Sequence, residues 1–195
     1  MKRLIVGITG ATGVIFGVRL LETLVDSGIE THLVVSKWAQ QTLGHETTMT
    51  MAELNGLATV NYAPGDMGAA ISSGSFHTDG MVIVPCSVRS LAAVAHGMGD
   101  HLVHRAADVV LKERRKLVLV ARETPLNEIH LNNMLILARM GAVILPPVPA
   151  FYNHPESLDD MVDHIVMRIL DQFDMPKELM ARWDGKLRSR ASNTQ

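Results

Sequence analysis

Five short, almost wholly apolar runs recur along this chain: residues 4–9, 31–35, 80–84, 117–121 and 142–145. Runs of this length, with centres such as Met81-Val82-Ile83-Val84, suit strands covered on both faces. Between them the spacing predicts a helix from Thr12 or Gly13 to about residue 27, one over 37–43, and a short one around Met51-Ala52-Glu53-Leu54 capped by Thr50. Further helices are predicted over 87–96, 100–114, 127–140 and 158–173. Residues 62–75, rich in Gly, Ala and Ser, read as a loop with a short helical turn. Gly28 and Gly141 are helix stops, and Pro85 and Pro146-Pro147 are strand stops. Alternating β and α segments imply the α/β class: one parallel sheet with helices on both faces, a Rossmann-like or flavodoxin-like sandwich. Strand order has no local signature. No linker or internal repeat divides the chain, so residues 1–185 are expected to form a single domain. Chain beyond Pro176 should pack around Trp183, and residues 186–195 are expected to be a flexible tail.

Composition removes several classes of function. With 195 residues, 47% hydrophobic and 19% charged, the chain can bury a core and is not of the disordered type. So few charges also suit a surface partly covered in an oligomer. The net charge is −2 and the basic run Lys112-Glu113-Arg114-Arg115-Lys116 is short, so nucleic-acid binding has no compositional support. No apolar segment is long enough to cross a bilayer. The stretch after Lys2 and Arg3 is too short for a signal peptide and runs into a glycine-rich turn, as a first strand does. A single cysteine, Cys86, excludes an internal disulfide and fits a reducing cytoplasm. Cys86 has no evident His or Asp partner and reads as a small buried hydrophobe rather than a nucleophile. The histidines, among them His96, His101 and His104, match no zinc spacing and read as scattered surface groups, so no metal is expected.

In open α/β sheets the ligand lies beyond the carboxyl ends of the strands. The segments found there are Gly10-Ala11-Thr12-Gly13; Ser36, with Glu46 further on; Cys86-Ser87-Val88-Arg89-Ser90; Arg122-Glu123; and Pro149-Ala150-Phe151-Tyr152. The most telling is Arg122-Glu123, because the buried strand before it has no need of a charged pair at its tip. The first turn, Gly7-Ile8-Thr9-Gly10-Ala11-Thr12-Gly13, is not G-x-G-x-x-G. It is either a close-approach turn with Thr12 at an anion-favouring helix N-terminus or a plain βα turn with a Thr12 N-cap. Likewise, Ser87-Val88-Arg89-Ser90 is either a monophosphate cradle or an N-cap followed by a solvated arginine. Arg105 and Lys112, seven residues apart with Asp108 between them, share a helix face that is either functional or a solvated charged surface.

Several long segments, taken together, resemble the flavin prenyltransferases of the UbiX/Pad family. They are Thr9-Gly10-Ala11-Thr12-Gly13, Ile71-Ser72-Ser73-Gly74-Ser75-Phe76, Pro85-Cys86-Ser87, Arg105-Ala106-Ala107-Asp108-Val109-Val110-Leu111-Lys112-Glu113-Arg114, Arg122-Glu123-Thr124-Pro125-Leu126 and Pro146-Pro147-Val148-Pro149-Ala150-Phe151-Tyr152. The resemblance runs from Met1 to about Trp183.

The resemblance implies a Rossmann-like subunit in a homododecamer. It also implies a metal-independent reaction in which a dimethylallyl group from dimethylallyl phosphate or pyrophosphate is joined to N5 and C6 of reduced FMN. The product, prenylated FMN, would serve a UbiD-type decarboxylase. By the same resemblance, Gly10, Ala11, Thr12, Ser36, Ser87, Val88, Arg89, Ser90 and Arg122 would contact FMN. Arg105, Lys112, Glu123, Tyr152 and Arg168 would surround the prenyl phosphate, with Glu46 nearby, and some of these contacts would come from neighbouring subunits. The chemistry fits these residues. A departing phosphate carries about two negative charges, which Arg105, Lys112 and Arg168 can meet, with the Tyr152 hydroxyl as a further donor. Ring closure releases the C6 proton, which Glu123, the phosphate or both could accept. Two positions depart from the common family pattern: Thr12 stands where many members have serine, and Arg89 where lysine is frequent. Two other readings remain at this point. One is a flavin-dependent cysteine decarboxylase of the same fold, disfavoured because its Asn-containing loop is here Pro85-Cys86-Ser87-Val88-Arg89-Ser90. The other is a non-catalytic accessory subunit of an aromatic-acid decarboxylase.

Overall fold

An apolar run can bury both of its faces only between two helical layers, and each of the five runs does form a strand. The computed structural model describes residues 2–185. Its elements are β1 (Arg3–Ile8), α1 (Val14–Asp26), β2 (Glu30–Val35), α2 (Lys37–Glu46), α3 (Met51–Gly56), β3 (Val60–Tyr62), β4 (Gly80–Cys86), α4 (Val88–Ala95), α5 (Leu102–Lys112), β5 (Lys116–Ala121), α6 (Glu128–Arg139), β6 (Val143–Ile144) and α7 (Leu158–Asp171), with a 3-10 turn at Ala70–Ser72. The six strands pair in parallel in the order β3-β2-β1-β4-β5-β6. This is the order of dinucleotide-binding sheets, and the winding reverses between β1 and β4, where ligands characteristically bind.

Two strands differ from expectation. The edge strand β3, Val60-Asn61-Tyr62, lies partly within the expected loop and is too short and mixed in polarity to leave a period. The strand expected to stop at Pro85 continues to Cys86. Pro85 is tolerated because the β4–β5 register is irregular between Ile83 and Cys86. Its carbonyl accepts from the N–H of Thr9 at 3.2 Å and the Thr9 hydroxyl at 2.8 Å.

Successive strand residues point to opposite faces, and both faces are dry. Ile5, Met81, Ile83, Leu117 and Leu119 join Leu91, Val103, Val110 and Leu137 in one cluster, so α4, α5 and α6 cover that side. Leu4, Val6, Ile8, Val82, Val118 and Val120 are fully buried on the alternate face, where α1 contacts β1, β2 and β4. Each such side chain contributes roughly 1.5–3 kcal/mol of burial free energy, which holds the strand ends in fixed register.

Met1–Pro147, with the sheet and α1 to α6, forms one compact unit, and Val148–Gln195 forms another. In the second, Ser157 caps α7 in a capping box with Asp160. The Tyr152 ring meets Trp183 edge-on with centroids 5.7 Å apart. The expected tail, residues 186–195, lies outside the described residues.

Candidate active-site crevice

At the switch point the loops after β1, β2 and β4 enclose a crevice of about 380 Å³. Thr9 and Gly10 line it from β1, Ser36, Lys37 and Trp38 from α2, Ser87, Val88, Arg89 and Ser90 from α4, and Asp100, His101 and His104 from the start of α5. Thr9 ties the walls together. Its hydroxyl donates to the Pro85 carbonyl at 2.8 Å and accepts from the Ser87 N–H at 2.9 Å. Gly10 lets the chain pass beneath α2, since a Cβ there would lie 2.5 Å from Cβ of Trp38.

Two helices begin at this crevice, each with a serine cap. The Ser36 hydroxyl accepts from the N–H of Ala39 at 3.2 Å, and the Ser87 hydroxyl accepts from the N–H of Ser90 at 3.2 Å. Lys37 and Arg89 stand beside these N-termini, and among the described residues their side chains form no hydrogen bond or ion pair. Among the described residues Asp100 is the one carboxylate in the lining. Two positive helix ends and two uncommitted cations suit a phosphate-bearing ligand, and the glycine floor admits a flat ring at close range. The residues present therefore fit a flavin mononucleotide.

The histidines correct the sequence reading. His96 is a surface group bonded to Asn133 at 3.0 Å, but His104 is 8% exposed and His101 lines the same crevice. His104 Nε2 lies 3.2 Å from the Ser90 hydroxyl, and Nδ1 lies 3.7 Å from a carboxylate oxygen of Asp100. Burial pushes the His104 imidazole below its ordinary value, with the neighbouring His101 adding to the effect and Asp100 opposing it. Burial also lowers His101, whose Nδ1 caps α5 by accepting from the N–H of Val103. Their short polar spacing gave no periodic signal, and burial on α5 could be known only once that helix was placed. Cys86 is fully buried, as expected, and burial pushes its thiol up to about 12.

Of the nine residues expected at FMN, six line the crevice: Gly10, Ser36, Ser87, Val88, Arg89 and Ser90. Ala11, Thr12 and Arg122 are not in its lining. Thr12 does not cap α1. Gly13 holds the N-cap position at φ 99°, a left-handed conformation natural to glycine, and provides no side-chain cap. The anion at that helix end is the protein's own: the Glu46 carboxylate accepts from the N–H groups of Gly13 and Val14, each at 2.9 Å. The backbone N–H of Arg122 donates to the Cys86 carbonyl at 3.1 Å, which fixes its main chain at the tip of β5, and its guanidinium has no partner among the described residues. Glu123 accepts from the N–H of Thr124 at 3.1 Å. Arg105 and Lys112 are already paired. Arg105 reaches Asp108 at 2.9 Å and the Ser72 carbonyl at 3.3 Å, and Lys112 pairs with Glu113. In the second unit the Tyr152 hydroxyl lies 3.3 Å from His164 Nε2, and Arg168 lies 3.1 Å from Asp171. Tyr152 and Trp183 line an open hollow of about 340 Å³.

A parallel α/β sheet with a positively polarised crevice at its switch point defines a protein of the nucleotide- and flavin-binding class. Residues 1–170 match the Flavoprotein family model. A probable UbiX-like flavin prenyltransferase of Streptomyces sp. (strain D7) is 62% identical over 97% of this chain and 96% of its own. The crystal structure of AnUbiX (PadA1) in complex with FMN and dimethylallyl pyrophosphate superposes with a TM-score of 0.94 at 51% identity, covering 95% of this chain and 98% of that one. A dodecameric FMN-dependent UbiX-like decarboxylase from Escherichia coli O157:H7 does so with a TM-score of 0.93 at 55% identity, over 94% and 100% of the two chains. The chain belongs to the Flavoprotein family and, within it, to the UbiX flavin prenyltransferases.

Proposed function

We propose that this protein binds reduced FMN in the switch-point crevice and transfers to its N5 and C6 atoms a dimethylallyl group from dimethylallyl phosphate or pyrophosphate, yielding prenylated FMN for a UbiD-type decarboxylase. The observation that carries this reading is the crevice itself, where Gly10, the serine-capped starts of α2 and α4, Lys37 and Arg89 meet with one opposing carboxylate. Reduced flavin supplies the two nucleophilic atoms.

The side chains supply binding and proton movement. Ser36 and the backbone N–H groups at the starts of α2 and α4 hold the flavin phosphate with Arg89, with the Ser87 hydroxyl beside it, and Arg122 holds the flavin from the tip of β5. Arg105, Lys112, Arg168 and Tyr152, some of them supplied by neighbouring subunits, receive the leaving phosphate and stabilise its charge without a metal. To do so Arg105 and Lys112 exchange Asp108 and Glu113 for the substrate, and these carboxylates hold both side chains in place beforehand. The proton released at C6 passes to the Glu123 carboxylate, the departing phosphate or both. Glu46 acts by fixing the start of α1 behind the Gly10 turn.

The family match runs past Pro147 to residue 170 and the Streptomyces relative aligns over 97% of this chain, which supports reading residues 1–185 as one working domain. A dodecamer is supported by the similar E. coli assembly and by the apolar surface of α6, where Ile129 is 67%, Leu131 52% and Leu135 47% exposed. Buried Cys86 and the lack, among the described residues, of a helix long and apolar enough to cross a membrane support a cytoplasmic place of work.

The test is to incubate the protein with FMN reduced under anaerobic conditions and dimethylallyl phosphate, then to weigh the flavin. Gain of one prenyl unit is expected. Unchanged flavin with both the phosphate and the pyrophosphate would overturn the reading.

A further inference from the structure

Three side chains in the crevice wall form a directional chain. The N–H of Ser90 donates to the Ser87 hydroxyl oxygen at 3.2 Å, and the Ser87 hydroxyl donates to the Ser90 oxygen at 3.1 Å. A hydroxyl has one proton to give, so the proton of Ser90 is left for its other neighbour, His104 Nε2, at 3.2 Å. That assignment needs an unprotonated Nε2 and places the imidazole proton on Nδ1, which faces Asp100 at 3.7 Å and has no hydrogen-bond partner. All of these residues line the crevice. In this state the Ser87 proton points away from any ligand, and Ser87 offers the crevice only its lone pairs.

We propose that His104 sets the direction of the Ser90–Ser87 hydroxyl chain and so decides whether Ser87 can donate a hydrogen bond to the flavin phosphate; this rests on the flavin reading above. When Nε2 gains a proton it donates to Ser90. Ser90 must then turn its own proton to Ser87, and the Ser87 hydroxyl is released toward the crevice. No bond other than hydrogen bonds changes, and the added proton stays on the imidazole. His104 is a positioning residue, acting on the ligand through two serines. The charged or titratable groups that face it are Asp100 and His101 at the start of α5 and Arg89 on α4. Asp100 favours the protonated ring, whereas His101, Arg89 and burial oppose it, so the switch falls on the acid side of an ordinary histidine.

The experiment is a titration with oxidised FMN, followed by quenching of its fluorescence, from pH 8 to pH 5 for the unmodified protein, His104→Gln and Ser90→Ala. The phosphate of free FMN titrates identically in all three experiments, so the informative quantity is each variant's Kd relative to that of the unmodified protein. As the pH falls below about 6.5, the unmodified protein is expected to gain affinity over His104→Gln by roughly threefold to tenfold, the worth of one hydrogen bond. Ser90→Ala keeps the histidine but breaks the chain, and should lack the gain as well. A gain that survives in Ser90→Ala would mean that the imidazolium acts through space, and would overturn the hydroxyl relay. A constant ratio for His104→Gln would overturn the inference while leaving the flavin reading intact. Failure of the unmodified protein to bind FMN at any pH would overturn both.

Discussion

The Glu46 carboxylate lies 2.9 Å from the backbone nitrogen of Val14, at the opening of α1. It also accepts from Gly13, so a side chain from the end of α2 occupies the anion position that a phosphate takes in many dinucleotide-binding folds. The flavin phosphate proposed for this protein would sit instead at the starts of α2 and α4. Replacing Glu46 with glutamine keeps an acceptor but removes the charge facing the helix dipole. The expected loss of stability is about 0.5–1 kcal/mol, read as a lower urea midpoint with an unchanged slope.

Gly10 answers to Trp38. A methyl group at position 10 would sit 2.5 Å from the Trp38 Cβ, an atom that rotamer change cannot move aside. Gly10→Ala should therefore displace the start of α2 from the crevice. Overpacking of this kind costs about 1–3 kcal/mol, and because the displaced segment is the crevice wall, FMN affinity should fall roughly tenfold or more. Fluorescence titration with FMN measures it.

Arg122 and Glu123 should separate cleanly by assay. The Arg122 guanidinium has no partner among the described residues, so Arg122→Ala should leave stability within about 0.5 kcal/mol. FMN binding should weaken roughly tenfold to a hundredfold, as for loss of a charge-assisted hydrogen bond. Glu123→Gln should bind FMN like the unmodified protein and slow formation of the prenylated flavin. Formation of full product at the unmodified rate would exclude Glu123 from the proton path.

Asp171 carries an acid limit to stability. Hydrogen bonds from Arg182, at 2.8 and 2.9 Å, hold its carboxyl below the usual aspartate value, with Arg168 adding to the effect. Because the folded value is the lower one, this stabilisation is complete above the unfolded value of about 3.9 and is lost as pH falls through the folded value. The gap in urea midpoint between the unmodified protein and Asp171→Asn should therefore be wide at pH 6 and narrow progressively below about pH 4.

Cys86, with its thiol pushed up to about 12 by burial, should resist alkylation by iodoacetamide at pH 8 in the folded protein. Unfolding in urea should restore ordinary reactivity. Rapid labelling of the folded protein would show that the strand end is open to solvent.

What the chain determined by itself were its local elements and their chemistry. Apolar runs placed five of the six strands, because a strand buried on both faces needs apolar residues throughout. Caps such as Thr50, Ser87 and Asn127 lie where the helices begin, because their hydroxyl and amide oxygens meet N–H groups only two or three residues away. The segments carrying Gly10, Ser87 and Arg122 were legible for the same reason: each lies immediately after a strand. Tertiary structure decided what depends on residues distant in sequence. Strand order brought the ends of β1, β2 and β4 to one crevice and left β3, with too few residues to show a period, at the edge. It set Glu46 rather than Thr12 at the head of α1, across 32 positions of chain. It also buried His104 against Ser90, 14 residues away, turning a histidine that reads as surface into part of the wall. Hydrogen bonds and burial act over a few ångströms, and only the packed sheet brings such distant residues that close.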